Sequence, residues 1–269
     1  MGRIEEALKQ SRSAKLRKQS PVPITEAIES EHNIDFSELP VMVPDEECLE
    51  KHRVVAALKD APERTAYKVL RTRVLQRLRA AQFNVIGITG AGPGEGKTLT
   101  AVNFAYSLAQ DVNHQVILVD LDLRRPSIHE YLGISPLRDI SDVLDGSAKL
   151  EDALVCPNAN RLAVLTCQTP IRDSSEILSS PEMAAIFHRL GALGQKTITV
   201  VDLPPVLASD DVIAFSPIVD ALLLVVGHGR CRREDLRETQ ELLREAEILG
   251  IVLNKSLEKS AATGYYDYY

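Results

Sequence analysis

With 38 acidic against 31 basic side chains, this 269-residue chain has a formal net charge of −7 and lacks the basic footprint of a general nucleic-acid binder. Its 45% hydrophobic and 26% charged content is that of a globular protein, and no apolar run approaches the roughly 18–20 residues that span a bilayer. Cys48, Cys156, Cys167 and Cys231 have no metal-ligand spacing and read as reduced thiols, so the expectation is a soluble, cytoplasmic protein brought to a membrane only by a partner.

Residues 1–18 pattern as a short amphipathic helix. Ile4, Ala7 and Leu8 share one face, and Lys9, Arg12, Lys15, Arg17 and Lys18 make a basic end. Such a helix is either solvated or a contact for a partner or an anionic surface. Residues 19–50, rich in proline and acid, read as a linker. A folded domain is expected over 51–256. It includes a helix over 62–81 with Leu70, Val74, Leu75 and Leu78 as its apolar stripe. Strand 84–89, helix 97–110 and strand 115–120 follow, then strand 162–166 and helix 181–193. Strands 197–202 and 221–226, helix 232–247 and strand 249–254 complete the series. Near-continuous Val/Ile/Leu strands between helices predict an α/β fold, a mostly parallel β-sheet with helices on both faces. Residues 257–269 read as a flexible tail that ends in Tyr265, Tyr266, Asp267, Tyr268 and Tyr269, holding four of the chain's seven tyrosines.

Three motifs carry chemistry. Between strand 84–89 and helix 97–110 lies Gly90-Ala91-Gly92-Pro93-Gly94-Glu95-Gly96-Lys97-Thr98-Leu99. This is the context of a phosphate-binding loop, in which backbone N–H groups and a helix N-terminus converge on phosphate oxygens. Lys97 is placed to neutralise the β/γ-phosphates and the Thr98 hydroxyl to reach Mg²⁺. Ala91 stands where the usual pattern has its first glycine. The second motif, Asp120-Leu121-Asp122-Leu123-Arg124-Arg125, sets two carboxylates at the carboxyl end of a buried strand, beside the ligand crevice of an open α/β sheet. The third, Asp202-Leu203-Pro204-Pro205, ends another apolar strand and suits Mg²⁺ coordination. Asn254, closing the last strand, is expected to read an adenine edge or to form a turn. His129 reads as a surface or helix-end histidine, and Asp210 and Asp211 as helix-start acids.

Together the motifs resemble the bacterial tyrosine kinases (BY-kinases) that govern polysaccharide synthesis and export. Pro93–Thr98 is similar to their phosphate loop. Asp120, Asp122 and Arg124 match their Asp-x-Asp-x-Arg motif, and Asp202, Pro204 and Pro205 their Asp-x-Pro-Pro motif. Met1–Leu8 is similar to the opening of the stand-alone cytoplasmic form. The resemblance implies a P-loop NTPase fold of the MinD/ParA kind, with ATP and Mg²⁺ bound by residues 92–99. Thr98, Asp122 and Asp202 would hold the metal, Asp120 would act as base, and Arg124 would steady charge or orient Asp122. Tyr265, Tyr266, Tyr268 and Tyr269 would be the acceptors. It further implies a separate transmembrane polysaccharide co-polymerase as activator, a phosphotyrosine phosphatase, and a homo-oligomer. The family's ring helix reads Glu-x-x-Arg-x-x-Arg, where this chain has Thr65, Lys68 and Arg71, so its acid is missing.

The 13 residues of 257–269 extend to at most about 40 Å, enough to reach a neighbouring subunit. Each phosphate adds roughly −1.5 to −2 charges, so a modified tail is expected to leave an acidic crevice and loosen an assembly held by its docking. Two other readings stay open. One is a ParA/MinD-type ATPase, although Gly92 occupies the place of that class's second loop lysine. The other is a non-catalytic, nucleotide-gated regulatory subunit of a polysaccharide exporter.

Overall fold

The computed structural model describes residues 34–58, 61–157 and 161–256. The chain divides into two units, 1–33 and 34–269, and all described residues lie in the second. The basic helix expected over 1–18 and the tail of 257–269 lie outside the described residues.

In chain order the elements are α1 (Glu46–Lys51), α2 (Arg64–Ala81), β1 (Val85–Thr89), α3 (Lys97–Ala109), β2 (Gln115–Asp120), α4 (Ile128–Leu132), α5 (Ile140–Leu144) and α6 (Leu150–Ala153). There follow β3 (Leu154–Val155), β4 (Leu162–Leu165), α7 (Ser174–Leu178), α8 (Pro181–Ala192), β5 (Thr197–Asp202), α9 (Asp211–Phe215), β6 (Ala221–Gly227), α10 (Arg233–Leu242) and β7 (Ile248–Asn254). The strands form one seven-stranded sheet in the order β3-β4-β2-β5-β1-β6-β7, parallel except for the antiparallel β3–β4 pair.

Alternation along each strand divides the core into two layers. Ile117, Val119, Val201 and Leu203 face Met183, Phe187 and Leu190 of α8 on one side. Ile86, Ile88, Leu118 and Val200 face Ala101, Val102, Phe104 and Leu108 of α3, with Val74, Leu75 and Leu78 of α2, on the other. Both faces being covered explains why the central strands read as unbroken apolar runs. Helix α8 starts where Ser180 accepts a hydrogen bond from Met183 N–H and Pro181 supplies a pre-set φ.

The expected linker of 19–50 is corrected over its second half. Ile34, Phe36 and Leu39 are buried in the α8-side layer and Leu49 in the other. Val41 bridges to Cys156 in parallel register, with Met42 N–H donating to Cys156 C=O at 3.0 Å. The Asp45 side chain caps α1 by accepting from Glu47 N–H. The prolines and acids here mark an irregular path, but the spaced apolar residues anchor it. Other differences are at element ends. Helix α2 begins at Arg64 after a turn through Pro62 and Glu63, and α10 stops at Leu242 rather than continuing to 247. Among the described residues no helix is long and apolar enough to cross a membrane.

Candidate active site

The phosphate loop leaves β1 at Thr89, whose hydroxyl donates to Pro204 C=O at 2.6 Å and so ties it to the loop after β5. Gly94 (φ 74°) and Gly96 (φ 93°) take left-handed conformations open to glycine. A Cβ on Gly96 would collide with the Asn254 amide. Ala91 is buried, and its carbonyl accepts from Leu207 N–H at 3.1 Å, so the missing first glycine is accommodated. Glu95, expected among the nucleotide-binding residues, turns inward and accepts from Gly92 N–H at 3.3 Å. Lys97 opens α3, is buried, and donates to Gly92 C=O at 3.3 Å. Burial lowers its pKa, against the opposing pull of Asp202, Asp122 and Glu95. Thr98 and Leu99 follow it, half-buried in the first turn.

Asp120 and Asp202 end neighbouring strands and pair across the sheet in register. Both are 0% exposed. Asp120 Oδ2 accepts from Ser127 and Ile128 N–H, each at 2.9 Å, and thereby fastens the start of α4. Burial pushes its pKa up to about 7, against those two bonds. Neither carboxylate oxygen of Asp202 has a well-formed hydrogen bond, although the Thr98 hydroxyl lies near enough to favour its charged form. Its pKa is raised by burial first and by Asp120 second, while the Thr98 hydroxyl and Lys97 pull the other way. Asp122 is half-buried and accepts from Arg125 N–H at 3.2 Å. Burial raises its pKa too, with Lys97 opposing.

The Asp202 oxygens are a fit test for a cation. A fully buried carboxylate without a well-formed hydrogen bond, beside a second carboxylate, is costly unless a positive charge joins it. Among the described residues no group of three His, Cys, Asp or Glu side chains is placed to hold a metal alone. Mg²⁺ suits such a site, because it binds through one or two protein groups together with substrate phosphates.

Other expected residues lie elsewhere than the sequence implied. Arg124 does not orient Asp122; its Nε donates to Ser174 Oγ at 2.8 Å and lies 3.3 Å from Asp211 Oδ2. Asp211 is no mere helix-start acid: it is 0% exposed, and Asp210 at the cap position makes no side-chain capping bond. Asn254 reaches the phosphate loop, but its amide donates to Glu95 C=O at 2.9 Å and its oxygen accepts from Lys255 N–H, so both ends serve the backbone. Lys255, missed from sequence, stands at φ 59° and donates to Gly94 C=O at 2.7 Å. Arg71 turns inward to Ser107 C=O at 2.7 Å, while Lys68 is exposed and Thr65 half-buried. The ring-helix position of Arg71 thus braces α2 on α3. His129 is half-buried, with Nδ1 unpartnered. Tyr265, Tyr266, Tyr268 and Tyr269 lie outside the described residues.

Comparison with known proteins agrees with this geometry. The family model described as the CobQ/CobB/MinD/ParA nucleotide binding domain matches residues 86–267. The tyrosine-protein kinase YwqD of Bacillus subtilis is 31% identical over 203 residues, covering 74% of this chain and 84% of that protein. The succinoglycan biosynthesis transport protein ExoP of Rhizobium meliloti is 31% identical over 212 residues; 76% of this chain is covered, but only 27% of the relative's length. Among solved structures the VpsO kinase domain superposes with a TM-score of 0.64 at 29% identity, covering 72% of this chain and 96% of that one. MinD of Pyrococcus horikoshii, complexed with Mg-ADP, shares the fold with a TM-score of 0.54 at 22% identity, covering 67% and 76%. The phosphate loop, the two strand-end carboxylate motifs and these relatives converge: the chain belongs to the bacterial tyrosine kinases, within the MinD/ParA class of nucleotide-binding domains.

Proposed function

We propose that this protein-tyrosine kinase uses ATP to phosphorylate its own Tyr265, Tyr266, Tyr268 and Tyr269, chiefly between subunits, and that this regulates exopolysaccharide polymerisation and export. The observation that carries the reading is the convergence of Lys97, Asp122 and Asp202 on the phosphate loop of a chain whose last five residues include four tyrosines. Residues 92–99 cradle the triphosphate, and Lys97 neutralises charge at its β/γ end. Thr98 and Asp202 would hold Mg²⁺, and Asp122, expected from sequence as a further ligand, would be left for proton transfer. The ion would supply charge neutralisation on the phosphate oxygens.

In the transfer, the tyrosine oxygen forms a bond to the γ-phosphorus. The bond from that phosphorus to the bridging oxygen breaks, and ADP leaves. The phenol, with an ordinary pKa near 10, is protonated at neutral pH and must lose its proton to a carboxylate. Asp120, expected to take it, is fully buried with one oxygen held by two N–H groups. Asp122 is the only one of the three strand-end carboxylates that is partly exposed, so we assign the proton to it. A transmembrane polysaccharide co-polymerase fits as separate activator at the inner membrane, and a phosphotyrosine phosphatase as the enzyme that resets the tail.

Incubation with labelled ATP tests the activity. Label on tyrosine is expected in the wild type and lost in Lys97→Met and in a chain truncated after Gly264. Phosphate release unchanged by the truncation would overturn the kinase reading in favour of a MinD-type ATPase. Sizing before and after phosphatase treatment tests regulation: the dephosphorylated form should be the larger assembly, and equal masses would refute tail-dependent assembly.

A further inference from the structure

Arg124, Ser174 and Asp211 come from three separate segments: the loop after β2, the first residue of α7 and the first residue of α9. Ser174 and Asp211 are both 0% exposed, whereas the Arg124 side chain is 45% exposed. Ser174 Oγ donates to Asp211 Oδ2 at 2.8 Å and accepts from Arg124 Nε at 2.8 Å. Arg124 Nη2 reaches Asp211 Oδ1 at 3.4 Å. The arginine is therefore gripped along one edge by two buried groups, and the rest of its guanidinium remains accessible.

Strand order says which side of the crevice this is. Asn254 and Lys255, from β7, brace one flank of the phosphate loop. Asp202 and Asp120 lie on the other flank, at the ends of β5 and β2, and β2 is two strands from β1, about 10 Å away. A triphosphate whose γ end lies by Lys97 and Asp202 leaves its acceptor to arrive over the β2–β4 side. The loop after β2 that carries Arg124 begins there, and the Asp211 that Arg124 holds is close enough to Asp122 to act on its charge.

We propose that Asp211 and Ser174 are positioning residues that hold Arg124 as a fixed cation on the acceptor side, where charge shifts between the phenolic oxygen and the γ-phosphoryl group. This rests on the kinase reading above. An unrestrained arginine has several rotatable bonds and would have to be ordered in each turnover; a pinned guanidinium is ordered in advance. The buried aspartate also explains itself by this role, because both its carboxylate oxygens are turned to Ser174 and Arg124.

The test is a double-mutant cycle on the full chain, reading tyrosine phosphorylation and, separately, binding of a fluorescent ADP analogue. Arg124→Ala and Asp211→Asn should each lower kcat by about 10–100-fold with KM for ATP within about twofold, as expected for a displaced group that acts on the reacting atoms. The double variant should be no slower than Arg124→Ala alone. Ser174→Ala should lower kcat by about three- to tenfold, with nucleotide binding retained. Losses that multiply in the double variant, or Asp211→Asn at wild-type kcat, would overturn the proposal. If Asp211→Asn does not fold, Ser174→Ala decides: a selective kcat loss supports positioning and wild-type kcat refutes it. Absence of labelled tyrosine in the wild type would instead mark failure of the kinase reading itself.

Discussion

Asp202 ends β5 with both carboxylate oxygens buried and without a well-formed hydrogen bond, beside Asp120 across the strand pair. Nothing in folding calls for this arrangement, since an amide of the same shape would avoid two crowded acids. Asp202→Asn should therefore stabilise the nucleotide-free, metal-free protein by about 1–3 kcal/mol while abolishing phosphoryl transfer. Thermal unfolding checks it: the midpoint should rise by several degrees. Residues of this kind were legible in the sequence because an acid closing an apolar strand is conspicuous. Asp211 was not. It sits beside Asp210 at a helix start, and its partner Arg124 is 87 positions away. No spacing rule joins such residues; only the folded sheet does.

The phosphate loop depends on its glycines as an element, and Gly96 is the most constrained. It combines φ 93° with an approach to Asn254 that leaves no room for a Cβ. Gly96→Ala should cost about 1–3 kcal/mol of local strain and weaken nucleotide binding at least tenfold, with the far-UV spectrum unchanged. Titration with a fluorescent ADP analogue measures this. At this scale most long elements could be read, because β1, β2 and β5 are short apolar runs, α8 carries a helical stripe and α3 follows the phosphate loop as a mostly apolar helix. The two-residue β3 and the five-residue α4, α5 and α7 could not, since so few residues hold no period; α9 was signalled only by the acids Asp210 and Asp211 at its start.

For the whole molecule, the domain begins earlier than its motifs suggest. Ile34, Phe36 and Leu39 enter the core under a stretch whose prolines and acids read as linker. Phe36→Ala should cost about 3–5 kcal/mol, as other large-to-small core changes do, and lower the unfolding midpoint without altering the motifs around Lys97. An unchanged midpoint would return this stretch to the status of a linker. The composition of 34–51 misled because proline content reports backbone regularity, whereas burial here depends on a few separated apolar side chains.

Lys255 fastens the end of β7 to the phosphate loop, and Ser256 after it is the last described residue. The end of β7 is four strand spacings from β2 (β7 to β6, β1, β5 and β2), or about 19 Å. Under the proposal above, each crevice is served chiefly by a neighbour's tyrosines. The consequence is kinetic: initial phosphorylation per protein molecule should climb with protein concentration, second order overall, until every site has a neighbour. A dilution series measures it, and a specific rate independent of dilution would assign the transfer to a single chain.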